Sequence, residues 1–178
     1  TILDGSWKIW KDESSDRVRK YSQLEGSGKL ALDYTGFSEI HVRARFAFKS
    51  SGGGKAGVFL GSIFCCINYD TQCVELYQGS KKLGSYAFSF SKTSNADLRS
   101  DPSLYTVEMR IRGNKVRVYS GAAYTLRFTA TITAENGYVG FMAEKGVVCD
   151  LLRLGDAWYY EPYECFDITF PDGRQTTF

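Results

Sequence analysis

Five arginines recur on strand-like alternations in a way that can gather cations on one surface. Within residues 40–48, Arg43 and Arg45 share a face with His41 and Ala47; Arg110, Arg112 and Arg117 flank a Gly113-Asn114 turn. A guanidinium presents a planar fork of N–H donors that matches a carboxylate or sulfate, and an aromatic ring offers a face to the C–H groups of a sugar. On neighbouring strands, Arg43, Arg45, Arg110 and Arg112, with Tyr119 and Tyr77 beside them, would form a groove for a glycan, an acidic one above all. The alternative for the same residues is a solvated sheet face whose charge Glu75 and Glu108 balance. A second cluster is aromatic: Trp158, Tyr159, Tyr160 and Tyr163 near one end of the chain, with Trp7 and Trp10 near the other. Exposed, such rings make a platform for sugar stacking; otherwise they pack on the body of the domain or on a neighbour. Trp7 and Trp10 lie three residues apart, so on a regular strand they point to opposite faces, and one of them is expected to be partly exposed.

Other chemistries find less support. His41 is the single histidine, and no G-x-S-x-G motif accompanies it, so it reads as a surface side chain. Glycoside hydrolysis needs two carboxylates about 5–10 Å apart. Glu75 and Glu108 stand alone on their strands among uncharged or basic neighbours, which reads as solvated or arginine-paired acids. No Asp-x-Asp-x-Asp run marks a calcium loop. Asp4, Asp33, Asp150 and Asp156 would meet at one edge if the first and last strands paired, against the plainer reading of scattered surface acids. No cofactor is expected, and calcium alone is left open. The five cysteines, at 65, 66, 73, 149 and 165, include no C-x-x-C and leave at least one thiol unpaired in a monomer. They read as buried, reduced, small apolar side chains, with a disulfide across the Cys66–Cys73 hairpin as the alternative. Free thiols favour synthesis in a reducing compartment.

The elements that must carry these residues are strands. Ile40, Val42, Ala44, Phe46 and Phe48 alternate with the polar set named above; Tyr105, Val107, Met109 and Ile111 alternate with Thr106, Glu108, Arg110 and Arg112. Val116 and Val118 continue the pattern, and so do Tyr86, Phe88, Phe90 and Tyr124, Leu126, Phe128. Each strand thus has an apolar and a wet side, as antiparallel sheets packed face to face require. Turn signals stand between them: residues 50–54 (Ser-Ser-Gly-Gly-Gly), Asp70-Thr71, residues 79–82, residues 94–96, Asp101-Pro102 and Glu135-Asn136-Gly137. Residues 95–104 have room for one short helical turn. No amphipathic helix of ten residues is present, which disfavours an α/β fold.

The chain has 178 residues, 22 basic and 20 acidic side chains and a formal charge of +2, a balance that argues against a nucleic-acid binder. No run of about 18 apolar residues spans a membrane, and the polar, charged first eleven residues show no signal peptide.

Three stretches, "GFSEIHVRARFAFKSSGGGKAGVFLG", "YTVEMRIRGNKVRVYSG" and "NGYVGFMAEKGVVCDLLRLGDAW", are similar in order to concanavalin A-like, laminin-G-like β-sandwiches of the carbohydrate-binding-module type. Gly137, Val139 and Gly140 take the place of the family's late "G-x-V-G" motif, whereas Cys149-Asp150-Leu151 only partly meets its last-strand pattern. The resemblance covers roughly residues 5–156 and implies an all-β, two-sheet antiparallel jelly-roll sandwich. The domain is expected over residues 1–157, with an aromatic extension over 158–178 that packs on it or leads to a further domain.

The expected function is a non-catalytic carbohydrate-binding module of a larger surface or secreted protein. The expected ligand is a polysaccharide or glycan held by Arg43, Arg45, Arg110, Trp158, Tyr159 and Tyr160. The rivals are a structural or adhesive assembly domain, for example in a viral tail or as a homo-oligomer, and a sugar-acting hydrolase with an unrecognised site. The corresponding locations are the cell surface or exterior, or a virion component made in the cytoplasm.

Overall fold

Period-two alternation buries one side of each strand only if a second sheet covers it, and that requirement organises the molecule. The computed structural model describes residues 1–12, 22–36, 39–93, 105–121, 123–155, 167–169 and 175–177. The strands are β1 (Ile2–Asp12), β2 (Ser22–Gly36), β3 (Glu39–Lys49), β4 (Lys55–Leu60), β5 (Ile63–Asn68), β6 (Cys73–Gln78) and β7 (Lys81–Ala87). They continue as β8 (Lys92–Thr93), β9 (Tyr105–Arg112), β10 (Lys115–Ser120), β11 (Thr125–Thr131), β12 (Gly137–Gly155), β13 (Asp167–Thr169) and β14 (Gln175–Thr177). The described residues contain no helix. The order is β11-β10-β9-β3-β12-β4-β5-β6-β7, with β2 beside β12 and β1 beside β2. Every pairing is antiparallel except a two-residue parallel contact between β3 and β8. β13 and β14 form a separate hairpin.

β12 is the hinge of the sandwich. Residues 139–143 pair with β4, and after a register shift residues 147–155 pair with β3. One strand therefore belongs to both layers, and the chain folds back so that β5 packs across β9. The opposite edges close through side chains: the Phe128 ring of β11 lies over Gly84 of β7. The Arg127 guanidinium stacks 4.7 Å from the Tyr86 ring and 5.2 Å from that of Phe88. Gly113, at φ +57°, turns β9 into β10 in two residues, a left-handed backbone that glycine adopts without a Cβ clash.

The core joins Ile40, Val42, Ala44, Phe46 and Phe48 of β3 to Val107, Met109 and Ile111 of β9, as the alternation predicts. Val58 and Leu60 of β4, Ile63, Cys65 and Ile67 of β5 and Val139, Phe141 and Val147 of β12 face them. Fully burying a side chain of this size stabilises the fold by about 1.5–3 kcal/mol. Trp7 packs into this cluster; the side chain of Trp10 lies outside the described residues. Cys65 and Cys66 are buried free thiols, Cys73 is half-buried and free, and Cys149 is buried in the core. The Cys66–Cys73 disulfide does not form, because Cys66 is paired across to Glu75 and Cys73 to Asn68.

Several expectations are corrected. The alternation at Tyr86, Phe88 and Phe90 is strand only as far as Ala87, although Phe90 and Phe88 still pack inward. The supposed apolar face of Tyr124, Leu126 and Phe128 is split. Phe128 lies opposite Val118 but Leu126 lies opposite Tyr119, so a bulge at Arg127 flips the parity and leaves Tyr124 and Leu126 exposed. The wet face of β3 is not wet, since His41, Arg43 and Ala47 are all buried. The acids proposed to meet at one edge are separated along β12. Asp4 lies at the register of Lys29 and Met142, and Asp33 lies beside the Ala31–Gly140 pair. Asp150 lies far along the strand opposite Arg45, and Asp156 is outside the described residues.

Candidate functional site

The arginines do come together. Register places Arg43, Glu108, Tyr119 and Leu126 in one row across β3, β9, β10 and β11, with His41, Arg110 and Arg117 in the adjacent row. What this builds is a charge ladder. Glu108, fully buried, accepts hydrogen bonds from the Nε groups of both Arg43 and Arg110. His41 Nε2 stands 2.9 Å from its Oε1. The Arg43 guanidinium carbon lies 3.6 Å from the centroid of the Tyr124 ring, and that of Arg110 4.4 Å from the Tyr119 ring. Each of these two cations is thus spent on a carboxylate and an aromatic face within the protein. Burial alone would raise the Glu108 carboxyl, but the hydrogen bond from His41 and the charges of Arg43 and Arg110 outweigh it and hold the group at about 2. Arg45 is partly buried beside Thr106, and Arg112 is exposed, 3.8 Å from Glu39. Trp158, Tyr159 and Tyr160 lie outside the described residues.

His41 is the clearest departure from expectation: it is a buried member of the ladder. Burial pushes its imidazole down, and Arg43 and Arg110 reinforce that against the pull of Glu108. Its folded value is therefore below the unfolded value of about 6.5. Its contribution to stability is complete above pH 6.5 and is lost as pH falls toward the folded value, because the unfolded chain takes the proton first. Thermal melts between pH 7.5 and 5 should show a falling Tm that is shallower in His41→Gln. Equal slopes would remove His41 as the source.

The second polar–aromatic assembly lies on the outer face of the other layer, and here the surface opens into a recess of about 400 Å³. Two cross-strand rows make its floor and walls. One runs Lys29, Met142, Gly57, Cys66, Glu75, Ser85; the other runs Ala31, Gly140, Phe59, Phe64, Tyr77, Lys82. Glycines, Ala31 and Cys66 keep the centre shallow, and Phe59, Phe64 and Met142 give it an apolar base. Lys29, Lys55 and Glu144 line it, with the Gly61-Ser62 and Gly79-Ser80 turns at one end. The Lys29 ammonium lies 4.2 Å from the Phe59 ring centroid, and Lys55 lies 4.9 Å from that of Tyr77.

Tyr77 is held in place from behind. Its hydroxyl donates to Glu75 Oε2 at 2.7 Å, and Glu75 also accepts from Asn68 Nδ2 at 2.9 Å, from Thr71 Oγ1 at 3.3 Å and from Lys82. Burial would raise the Glu75 carboxyl, but these hydrogen bonds win and leave it below the ordinary value. Underneath, burial pushes the Cys66 thiol well up, so it stays protonated and behaves as an apolar floor.

Of the ring residues proposed from sequence, Tyr77 is in this recess, on β6, separated from the arginine strands by β12, β4 and β5. Lys29, Lys55, Phe59, Phe64, Met142 and Glu144 went unnoticed. A signal did exist for Lys55, Phe59 and Phe64: "KAGVFL" and "IFCCIN" lack alternation, and strands buried on both faces read that way.

No family model and no curated protein matches the chain. Among solved structures it is similar to the carbohydrate binding module CBM66 from Bacillus subtilis, at 12% identity and a TM-score of 0.54 over 80% of this chain and 91% of that one. It is equally similar to a functionally unknown protein from Saccharomyces cerevisiae, at 12% identity and 0.54 over 88% and 97%. The GH43 protein BlXynB from Bacillus licheniformis follows, at 15% identity and 0.50 over 78% of this chain and 33% of that one. At such identities the likeness speaks to fold: the domain is an all-β concanavalin-like, jelly-roll sandwich. Among the described residues no helix is long and apolar enough to cross a membrane.

Proposed function

We propose that this domain is a non-catalytic carbohydrate-binding module and that it seats a glycan in the Tyr77 recess. The observation that carries the reading is the open recess itself, an apolar–aromatic base ringed by hydroxyls, ammoniums and one carboxylate, on a fold shared with a carbohydrate-binding module. Tyr77 offers a ring whose phenol is already anchored to Glu75, so little freedom is lost on binding. The non-catalytic part of the reading is supported by the two acids that sequence singled out. Glu75 and Glu108 are each saturated by several donors and held ionised, which suits neither to deliver a proton near neutral pH. Such a module acts at the cell surface or outside the cell, as part of a larger protein, with affinities of about −8 to −4 kcal/mol.

Affinity electrophoresis through gels cast with soluble polysaccharides, with and without calcium, tests this. Retardation is expected in at least one polymer, and Tyr77→Ala should weaken it roughly tenfold, about 1.4 kcal/mol. Tyr119→Ala, on the other layer, should leave it unchanged. The reverse pattern would move the site to the arginine ladder. No retardation in any polymer, with an oligomeric band, would favour the assembly reading instead.

A further inference from the structure

The recess contains charges of both signs, but they are not equally available. Glu75 is buried with its oxygens turned to Asn68, Thr71, Tyr77 and Lys82. Glu144 receives the backbone N–H of Lys55 at 3.1 Å and lies 3.5 Å from the Lys55 ammonium. Lys29 differs from both. Its ammonium rests over the Phe59 ring, 4.2 Å from the centroid, and it makes no ion pair among the described residues. A ring face attracts a cation without neutralising it, so a full positive charge stays directed at the recess. It heads the row that continues through Met142 and Gly57, and from that end its ammonium reaches to Phe59 in the base.

Resting on the proposed glycan site, we infer that the sugar bound there is anionic and that Lys29 receives its carboxylate or sulfate while Tyr77 takes the ring. Lys55 and Lys82 also stand beside the Tyr77 ring, their ammoniums 4.9 Å and 5.6 Å from it, but each is already paired with a carboxylate, Glu144 and Glu75. A neutral sugar would leave Lys29 with no partner but Phe59, whereas an anionic one completes a charge-assisted hydrogen bond. This places the preference for acidic glycans on Lys29 of β2. Arg43 and Arg110, which first suggest it, are already occupied by Glu108.

The experiment pairs polymers that share a backbone and differ in charge: polygalacturonate against fully methyl-esterified pectin, carboxymethyl cellulose against hydroxyethyl cellulose, and dextran sulfate against dextran. Affinity electrophoresis of the intact chain should show at least tenfold tighter retention by one charged member than by its neutral partner, and which pair responds separates carboxylate from sulfate. Lys29→Gln should weaken that retention at least fivefold. Lys115→Gln, an equal loss of charge on β10, should keep it within twofold, and raising salt from 50 to 300 mM should reduce it. Equal losses in Lys29→Gln and Lys115→Gln would reduce the effect to bulk charge and overturn the assignment. Retention by neutral members alone, still lost in Tyr77→Ala, would overturn the anionic preference and leave the glycan site standing. Absence of retention in all six polymers would remove both.

Discussion

Glu108→Gln should cost about 3–5 kcal/mol and lower Tm by roughly 10 °C, with the fold otherwise retained at low temperature. The carboxylate has no contact with solvent, and two guanidiniums and an imidazole converge on it. An amide of the same shape keeps the packing but supplies one neutral acceptor where two cations need an anion. Arg43 and Arg110 then remain in a face from which water is largely excluded, and the uncompensated charge dominates the penalty. Domains of this size are stable by only about 5–15 kcal/mol, so the variant should sit near the threshold of folding. Arg43→Met combined with Glu108→Gln should cost less than the two changes summed, because one removes a cation that the other strands. An acid titration supplies an independent reading. The Glu108 carboxyl is held at about 2, below its ordinary 4.5. Its contribution is therefore complete above 4.5 and disappears as pH falls toward 2, where wild type and Glu108→Gln should converge. A Glu108→Gln melt within 2 °C of wild type at pH 7 would mean that the ladder stabilises nothing.

Gly140→Ala should be comparably severe for a different reason, costing about 3 kcal/mol or more and lowering the urea midpoint with little change in slope. A Cβ at Gly140 would stand 1.9 Å from the Leu30 carbonyl oxygen, 2.9 Å from its carbon and 3.0 Å from the Ala31 Cα. All three are backbone atoms of β2, and β12 is hydrogen-bonded to β4 on its other side, so neither strand can give way without breaking a ladder. Gly146→Ala is the matched control on the same strand: nothing lies within 4 Å of its added Cβ, and the change should stay within about 0.5 kcal/mol. Equal midpoints for the two variants would show that β2 and β12 have slack that their register does not reveal.

Reading the sequence goes furthest where one strand reports on itself. The inward sets of β3 and β9 are the core faces that their alternation predicts, and Gly113-Asn114 makes the hairpin it promises. The reading fails where a neighbour decides. Nothing local to β11 announces the bulge at Arg127, which turns Leu126 outward. His41, Arg43, Glu108 and Arg110 look like a solvated face because their types are polar. Cross-strand register lets Glu108 take both guanidiniums, and mutual satisfaction is what makes burial tolerable for charges.

The "G-x-V-G" stretch separates the two kinds of knowledge. Composition, alternation and turn residues by themselves determine an all-β sandwich, and they place Val107, Met109 and Ile111 on the apolar side of their strand, since these depend on the period of a strand and the transfer of apolar surface from water. Why residue 140 must be glycine depends on a carbonyl of Leu30, more than a hundred positions earlier in the chain. Tyr77 joins Lys29 and Phe59 in one recess, rather than the arginines, only because β12, with β2 along one side, pairs β4 over its first part and β3 over its second. Those pairings are non-local, and only the folded chain, by bringing distant strands into one register, decides which side chains share a face.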